Sequence, residues 1–432
     1  MPQKVSFHTL GCKLNFSETS SIAREFSERG FEKVKFGENS DIIVINTCTV
    51  TEIADKKCRQ AIKKAKKNSP DAFIAVTGCY AQSDAEKIAE IPGVDMVLGM
   101  NEKFNFFKYV ETVKKRKETV VYSCETSDIE KFDPAFSSGD RTRSFLKIQD
   151  GCDYPCTYCK IPSVRGKSRS NSVAETVKQA EIIAESGFKE VILTGVNIGD
   201  FGKISGETFF DLIKALDKVE GIERYRISSI EPNLITDEII RFTAVSEKFL
   251  PHFHIPLQSG SDKILKLMKR RYNTELFRDK IEKINRLVPD AFVGIDVITG
   301  FPGETESDFE DTYRFLESLN ISFLHVFSYS VRKGTPAEKM PGKVSSAEIK
   351  KRSEKLHFLS YLKHSEFYKK FVGTKHKVLF EGAKHGNSMF GFTENYIKVE
   401  TPYNSKLVND IVDFQITGIN EAGNAEGEIS EN

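Results

Sequence analysis

Three cysteines crowd the run from Lys147 to Lys160, in the order Cys152, Cys156 and Cys159. A CxxxCxxC loop can grip three irons of a cubic 4Fe-4S cluster and leave the fourth iron without a protein ligand, open to a small molecule. A structural zinc ion would want four tetrahedral ligands, and no fourth Cys or His lies close in sequence. A disulfide framework fits less well. The eight cysteines are sparse over 432 residues and no apolar leader precedes Lys4, so the chain reads as a reduced, cytoplasmic protein. No run of about 18 apolar residues exists to span a membrane.

The spacing of this trio resembles the loop of the radical S-adenosylmethionine (SAM) superfamily. That resemblance implies SAM chelated on the open iron and cleaved by an electron from the cluster to a 5'-deoxyadenosyl radical.

Three further cysteines occupy matching points earlier in the chain. Residues 4–10, 41–47, 72–77 and 94–98 are short apolar runs that read as buried parallel strands. Helical stretches at roughly 17–29, 53–67, 83–90 and 103–115 alternate with them, which makes an open α/β sheet. Cys12, Cys48 and Cys79 each fall just past the carboxyl end of a strand, the edge where ligands collect in such sheets. They are 36 and 31 residues apart, yet that placement predicts convergence. Gly11, Thr47 and Gly78 beside them let backbone amides approach the sulfurs. Cys58, on a basic helix, and Cys124, in a short strand before a linker, lack this placement and read as non-ligands.

Residues 143–330 repeat strand and helix six times, with strands at 144–149, 190–195, 224–230, 252–258, 291–299 and 323–330. Helices follow at 172–186, 207–219, 236–247, 262–288 with a break near Tyr272, and 305–318. Six such units make a partial (β/α)6 barrel with its active groups at the carboxyl strand ends. Several of those ends suit a zwitterionic ligand: Gly195 and Asn197, Glu231, Gln258 and Asp296. Tyr158, within the cysteine loop, is placed to stack on an adenine ring. Glu304-Thr305 reads as the N-cap of the fifth helix.

The expected layout is a domain at 1–122, a linker at 123–140, the partial barrel at 141–330, a basic helical connection at 331–372 and a small β-barrel at 373–432. The tail shows strands at 375–383, 388–401 and 411–419 between Gly, Asn and Pro turns. It is similar to five-stranded barrels that bind oligonucleotides. The net charge of +1 hides a segregation: residues 331–380 carry thirteen Lys or Arg against four Glu, and 381–432 carry three Lys against nine acids. Lys56, Lys57, Arg59, Lys63, Lys64, Lys66 and Lys67 form a second basic cluster. The tail is acidic overall and would hold RNA only through a local patch such as Lys375, Lys377, Lys384 and Lys398, so phosphate contacts are expected mainly from the connection, Lys350, Lys351 and Arg352 included, and from the 56–67 helix.

Over nearly its whole length the chain resembles the methylthiotransferase family of radical SAM enzymes, whose C-terminal barrel is of the TRAM type. Gly-Cys-Lys-Leu-Asn at 11–15, Asn-Thr-Cys-Thr-Val-Thr at 46–51, Ser-Ser-Ile-Glu-Pro at 228–232 and His-Ile-Pro-Leu-Gln-Ser-Gly-Ser at 254–261 are similar to the MtaB type, which acts on threonylcarbamoyladenosine in tRNA. The MiaB type, acting on isopentenyladenosine, would read Gly-Cys-Gln-Met-Asn at the first motif. The resemblance implies two 4Fe-4S clusters, one on Cys152, Cys156 and Cys159 that binds SAM and an auxiliary one on Cys12, Cys48 and Cys79. One SAM would then methylate a sulfur and another would be cleaved. It also implies a tRNA anticodon stem-loop as partner, an electron donor of flavodoxin or ferredoxin type and sulfur or cluster supply proteins. The rivals are a ribosomal-protein methylthiotransferase and a non-catalytic RNA-binding iron-sulfur redox sensor.

Overall fold

The computed structural model describes residues 2–49, 52–109, 118–139 and 141–430. The first sheet has six parallel strands, in the order Glu32–Val34, Lys4–Thr9, Ile42–Thr47, Phe73–Gly78, Met96–Leu98, Val120–Tyr122. Its alternation covers both faces: Ile43 and Ile45 pack with Ile62 and Ala65 of the helix Glu52–Asn68, while Ile42 and Val44 pack with Ile22, Phe26 and Phe106. The outermost strand Glu32–Val34 has three residues, too short to be read from periodicity. The expected helix at 83–90 is two short ones, Cys79–Ser83 and Ala85–Ala89. Of the helix expected at 103–115 the described residues hold Phe106–Tyr109, and residues 110–115 lie outside them.

In the second unit the strands are Ser144–Lys147, Glu190–Thr194, Arg224–Ile227, His252–Gln258, Phe292–Thr299 and Phe323–Ser328, parallel within each half. Bridges Tyr225↔Phe249 and Ser229↔His254 join the halves into one curved, open wall. The expected linker takes part in it, since Ala135–Phe136 pairs antiparallel with Ser144–Lys147. Residues Val191 and Leu193, Tyr225 and Ile227, Phe253 and Ile255, and Val293 and Ile295 face the helices and form the main core. Their alternates Glu190, Arg226, His252, His254, Asp296 and His325 therefore face the lumen, which is polar.

The helix Ser346–Lys370 packs on the last strand, with Ser360 Oγ donating to the Leu324 carbonyl (3.0 Å) and accepting from the Leu324 amide (3.0 Å). Arg352, expected to contact phosphate, is buried there instead. It pairs with Glu304 (2.7 Å), Glu306 (3.2 Å) and Glu348 (3.0 Å). Glu304 is accordingly not part of a cap: its carboxylate accepts from Gly300 N (2.7 Å), and Thr305 caps the helix through a reciprocal pair with Asp308.

The tail closes into a five-stranded barrel of Lys375–His385, Ser388–Thr393, Lys398–Pro402, Ala425–Ile429 and Ile411–Ile419. The expected strand 388–401 is interrupted by a turn whose Tyr396 has φ +67. That turn sits at the foot of the larger barrel, where Arg224 donates to the Phe392 carbonyl (3.3 Å) and Arg226 to the Glu394 carbonyl (3.2 Å).

Candidate iron-sulfur and substrate site

In the parallel register Asn46 pairs with both Thr9 and Thr77, so the three strands end at one level. The loops beyond them touch. A Cβ on Gly11, at φ +111, would stand 3.2 Å from Cys48 Sγ, and one on Gly78, at φ +95, 2.3 Å from Asn46 Oδ1. Only glycine permits both approaches. Asn15 ties the loops together, its Nδ2 donating to the carbonyls of Leu10 (2.8 Å) and Thr47 (2.9 Å). Cys12, Cys48 and Cys79 are thus gathered at one edge of the sheet.

The second trio is held in its own loop. The Tyr154 amide donates to Cys152 Sγ and the Ile161 amide to Cys159 Sγ, both at 3.4 Å, while Arg270 Nη1 donates to Cys156 Sγ at 3.0 Å. Burial pushes the thiols of Cys152 and Cys159 up to about 12, and raises those of Cys156 and Cys79, so each must lose its proton to bind a metal. Among the described residues neither trio has its three sulfurs within 4.8 Å of one another. A tetrahedral zinc ion with bonds of about 2.3 Å draws its sulfurs to about 3.8 Å.

Arg165, on the short helix Pro162–Arg165 after the second trio, joins the two. It is fully buried, and its guanidinium donates to Cys79 Sγ (3.3 Å), Asn15 Oδ1 (2.7 Å), Glu18 (3.1 Å) and Asp150 (2.9 Å). Glu18 also pairs with Lys103 (2.6 Å) and Lys147 (3.2 Å). These cations hold the Glu18 carboxyl well below its ordinary value although burial opposes them. The network stitches the first sheet to the barrel. Sequence reading missed all of it, because Asn-Phe-Ser-Glu-Thr-Ser at 15–20 reads as a solvated helix face.

The residues expected to contact SAM fall into distinct settings. Gly195 leaves no room for a side chain, since a Cβ would meet the Gln149 carbonyl at 3.0 Å. Gln149 Oε1 accepts the amides of Val196 (2.9 Å) and Asn197 (2.8 Å), and Asn197 Oδ1 is buried without a partner. Glu231 forms an ion pair with Arg270, the residue that donates to Cys156, and so lies beside the loop of the second trio. Gln258 sits after an irregular register at φ +71, a strained conformation for a side-chain-bearing residue. Asp296 is deeper in the lumen, bonded to His254 Nε2 (2.7 Å), and His325 stands 4.7 Å from His254 between ring centroids. Tyr158 accepts from Arg270 (3.4 Å).

Tyr158 also lines a cavity of about 230 Å³ with Thr49, Cys159, Val164, Phe327 and Arg332. Cys159 is the cysteine on its lining, and Thr49 is the chain neighbour of Cys48. Arg332, another residue not foreseen, closes it by donating to Thr49 Oγ1 (2.7 Å) and pairing with Asp55 (3.0 Å).

Residues 4–99 match the model described as Uncharacterized protein family UPF0004, and residues 146–316 that of the Radical SAM superfamily. The chain is 41% identical over 428 residues to a threonylcarbamoyladenosine tRNA methylthiotransferase MtaB of Bacillus subtilis, covering 95% of this chain and 93% of that protein. A protein of the same description from Aquifex aeolicus is 39% identical over 92% of this chain and 96% of its own. A tRNA-2-methylthio-N(6)-dimethylallyladenosine synthase of Clostridium botulinum is 34% identical over 95% and 91%. Among solved structures, the radical SAM methyltransferase TsrM of Kitasatospora setae superposes with a TM-score of 0.55 at 12% identity, over 78% of this chain and 77% of that one, a likeness of fold.

Proposed function

The chain belongs to the methylthiotransferase family of radical SAM enzymes, and from that membership we propose that it converts N6-threonylcarbamoyladenosine beside the anticodon of tRNA to its 2-methylthio derivative. The observation that carries this reading is Arg165, which follows one cysteine trio and hydrogen-bonds to Cys79 of the other, beside a cavity lined by Cys159 and by Thr49, the neighbour of Cys48. One trio, Cys152, Cys156 and Cys159, would hold the SAM-binding 4Fe-4S cluster, and Cys12, Cys48 and Cys79 the auxiliary one. When bound, these groups and SAM supply a sulfur atom, a methyl group and the one-electron chemistry that opens an adenine C–H bond no side-chain base can ionise at neutral pH.

The protein's part is to bind and orient. Arg270 and the amides of Tyr154 and Ile161 direct donors at the sulfurs of one trio, and Arg165 at the other. Such donors stabilise the thiolate form and tune a cluster's potential. The Glu231–Arg270 pair puts both charges a methionyl zwitterion needs beside the cluster loop. Tyr158, Val164 and Phe327 give the cavity an apolar wall suited to an adenine ring. Gly195 and Asn197 bring backbone and an unpartnered amide oxygen to the same strand-end rim.

The tRNA base must leave its stack to enter, which costs least in a single-stranded anticodon loop. The tail barrel offers Phe390 beneath Lys398 (3.6 Å) and Tyr403 beneath Lys384 (5.3 Å), a pairing of rings and cations suited to RNA. The exposed lysines of the helix Glu52–Asn68 add positive surface. No described helix is long and apolar enough to cross a membrane. A cytoplasmic setting, a flavodoxin- or ferredoxin-type electron donor and sulfur or cluster supply proteins complete the proposal.

The test is anaerobic incubation of the reconstituted protein with SAM, reductant and an anticodon stem-loop carrying N6-threonylcarbamoyladenosine, read by nucleoside mass spectrometry. The 2-methylthio nucleoside and 5'-deoxyadenosine are expected. If only an isopentenyladenosine stem-loop or a ribosomal protein is converted, the substrate assignment is wrong.

A further inference from the structure

His254, Asp296 and His325 come from three neighbouring parallel strands, His252–Gln258, Phe292–Thr299 and Phe323–Ser328. The register sets Asp296 beside His325 and Gly294 beside His254, so all four stand on the lumen face of the wall. Among the described residues this is the one group of three His, Cys, Asp or Glu side chains whose ligand atoms all lie within 4.8 Å of one another. His254 Nε2 is 2.7 Å from Asp296 Oδ1, and the rings of His254 and His325 are 4.7 Å apart between centroids. The group is open to the lumen: the side chains of His254 and Asp296 keep 23% and 18% of their surface exposed.

A hydrogen-bonded His–Asp pair accounts for two of these residues and leaves the third unexplained. Among the described residues no hydrogen bond reaches the His325 ring, which meets Phe323 edge-on at 4.8 Å between centroids. A neutral imidazole keeps one bare nitrogen, the form that ligates metals. Gly294 leaves the space beside His325 Nε2 open. A Cβ there would stand 3.5 Å from that nitrogen and from the Phe292 ring, and a longer side chain would crowd it. Two imidazoles and a carboxylate are a donor set that zinc and other divalent first-row ions accept. Zinc bonds of about 2.1 Å set tetrahedral ligand atoms about 3.4 Å apart, so modest side-chain rotations complete the site.

We propose that His254, Asp296 and His325 bind a divalent transition-metal ion in the barrel lumen, with no cysteine among its ligands and zinc as the ion that matches the donors. The cation takes the place of the proton shared by His254 Nε2 and Asp296, and His254 keeps a proton on Nδ1. Three protein ligands leave a fourth tetrahedral position for water or for an oxygen atom of a bound molecule. The rings of Phe292 and Phe323 form an apolar shell that fixes His325 and limits water. Phe327, two residues beyond His325 on the same face, lines the cavity of Tyr158 and Cys159, so the site lies about 7 Å deeper along the strand than that wall. Asp296 thereby gains a ligand other than SAM.

The test uses the protein with both clusters loaded, so that its cysteines are occupied, dialysed anaerobically against micromolar zinc and analysed for zinc, iron and sulfide. One zinc per chain is expected above an unchanged iron content. Zinc-edge X-ray absorption should show nitrogen and oxygen neighbours with imidazole scattering and no sulfur. His325→Gln and Asp296→Asn each remove one donor at similar size, and each should weaken zinc binding by more than the roughly hundredfold that loss of an outer-shell partner costs. His385→Ala, at an exposed histidine of the tail barrel, should bind as wild type does. Absence of zinc from wild type, a sulfur shell around the zinc, or undiminished affinity in both His325→Gln and Asp296→Asn overturns the inference. None of these readings needs turnover, so a failure of the substrate assignment leaves them intact.

Discussion

Arg165 Nε lies 3.3 Å from Cys79 Sγ, so a side chain anchored just after one cysteine trio hydrogen-bonds to a member of the other. The same guanidinium holds Glu18 and Asp150, which belong to the first domain and to the barrel respectively. Bringing two clusters to one base requires the two units to be fixed to each other within fractions of an ångström. A fully desolvated Arg with two carboxylates supplies directionality that apolar packing does not.

Arg165→Leu leaves Glu18 and Asp150 with fewer cations in a dry interior. Loss of one partner from a buried ionic network costs about 3–5 kcal/mol. The midpoint of urea unfolding should fall accordingly, and Arg165→Lys should recover part of it. In Arg165→Lys the Nε–Sγ bond is absent, so a redox titration followed by electron paramagnetic resonance should show the auxiliary cluster shifted and the SAM-binding cluster unmoved. Equal shifts in both would mean that Arg165 acts through the fold and not through Cys79.

The same network makes stability depend on acid. The folded-state values of Glu18 and Asp150 are both held below the ordinary carboxylate values of 4.5 and 3.8. A depressed value stabilises the fold above the unfolded pKa, and the contribution drains away as pH falls toward the folded value. The cluster-free protein should therefore keep a constant urea midpoint from pH 7 to about 5 and lose stability steeply below about 4.5. Glu18→Gln should be less stable at pH 7 and show a shallower loss below 4.5. An unchanged slope would remove Glu18 from the cause.

Much of the frame could be read from the sequence, and the failures have a common physics. Six barrel strands were legible because stretches such as His252–Gln258 alternate a core residue with a lumen residue. The strand ends then placed both trios without further information. Arg165, Glu18, Lys103 and Arg352 were misread or overlooked because a charged residue on a helix looks solvated until its partner, more than eighty residues away for Lys103 and Glu18, is known. The edge strand Glu32–Val34 was missed because three residues cannot establish a period.

Cys48→Ala and Cys156→Ala should each remove one cluster and spare the other. Iron and sulfide counts should halve in both. Mössbauer spectra of the anaerobically purified variants should retain, in Cys48→Ala, the component that changes on adding SAM, and lose it in Cys156→Ala. Cys58→Ala should keep the full count, since the Cys58 thiol is spent on the Cys48 carbonyl at 3.4 Å within the helix core. Loss of iron in Cys58→Ala together with a full count in Cys48→Ala would reassign the auxiliary trio.

RNA contact should follow the solvated lysines rather than the charge count along the chain. Lys398 and Lys384 lie over Phe390 and Tyr403, where a base can stack while its phosphate meets the ammonium. Lys350 and Lys351 are exposed but face Glu354 and Glu348 at 3.8 and 3.7 Å. Lys384→Glu combined with Lys398→Glu should weaken tRNA binding and flatten its salt dependence by about one unit of slope per lysine. Arg352→Ala should instead leave the slope alone and lower the unfolding midpoint, because it strips Glu304 of its buried partner. Filter binding across a salt series separates the two outcomes: a reduced slope in Arg352→Ala with an unchanged one in the double variant would move the RNA path from the tail barrel to the long helix.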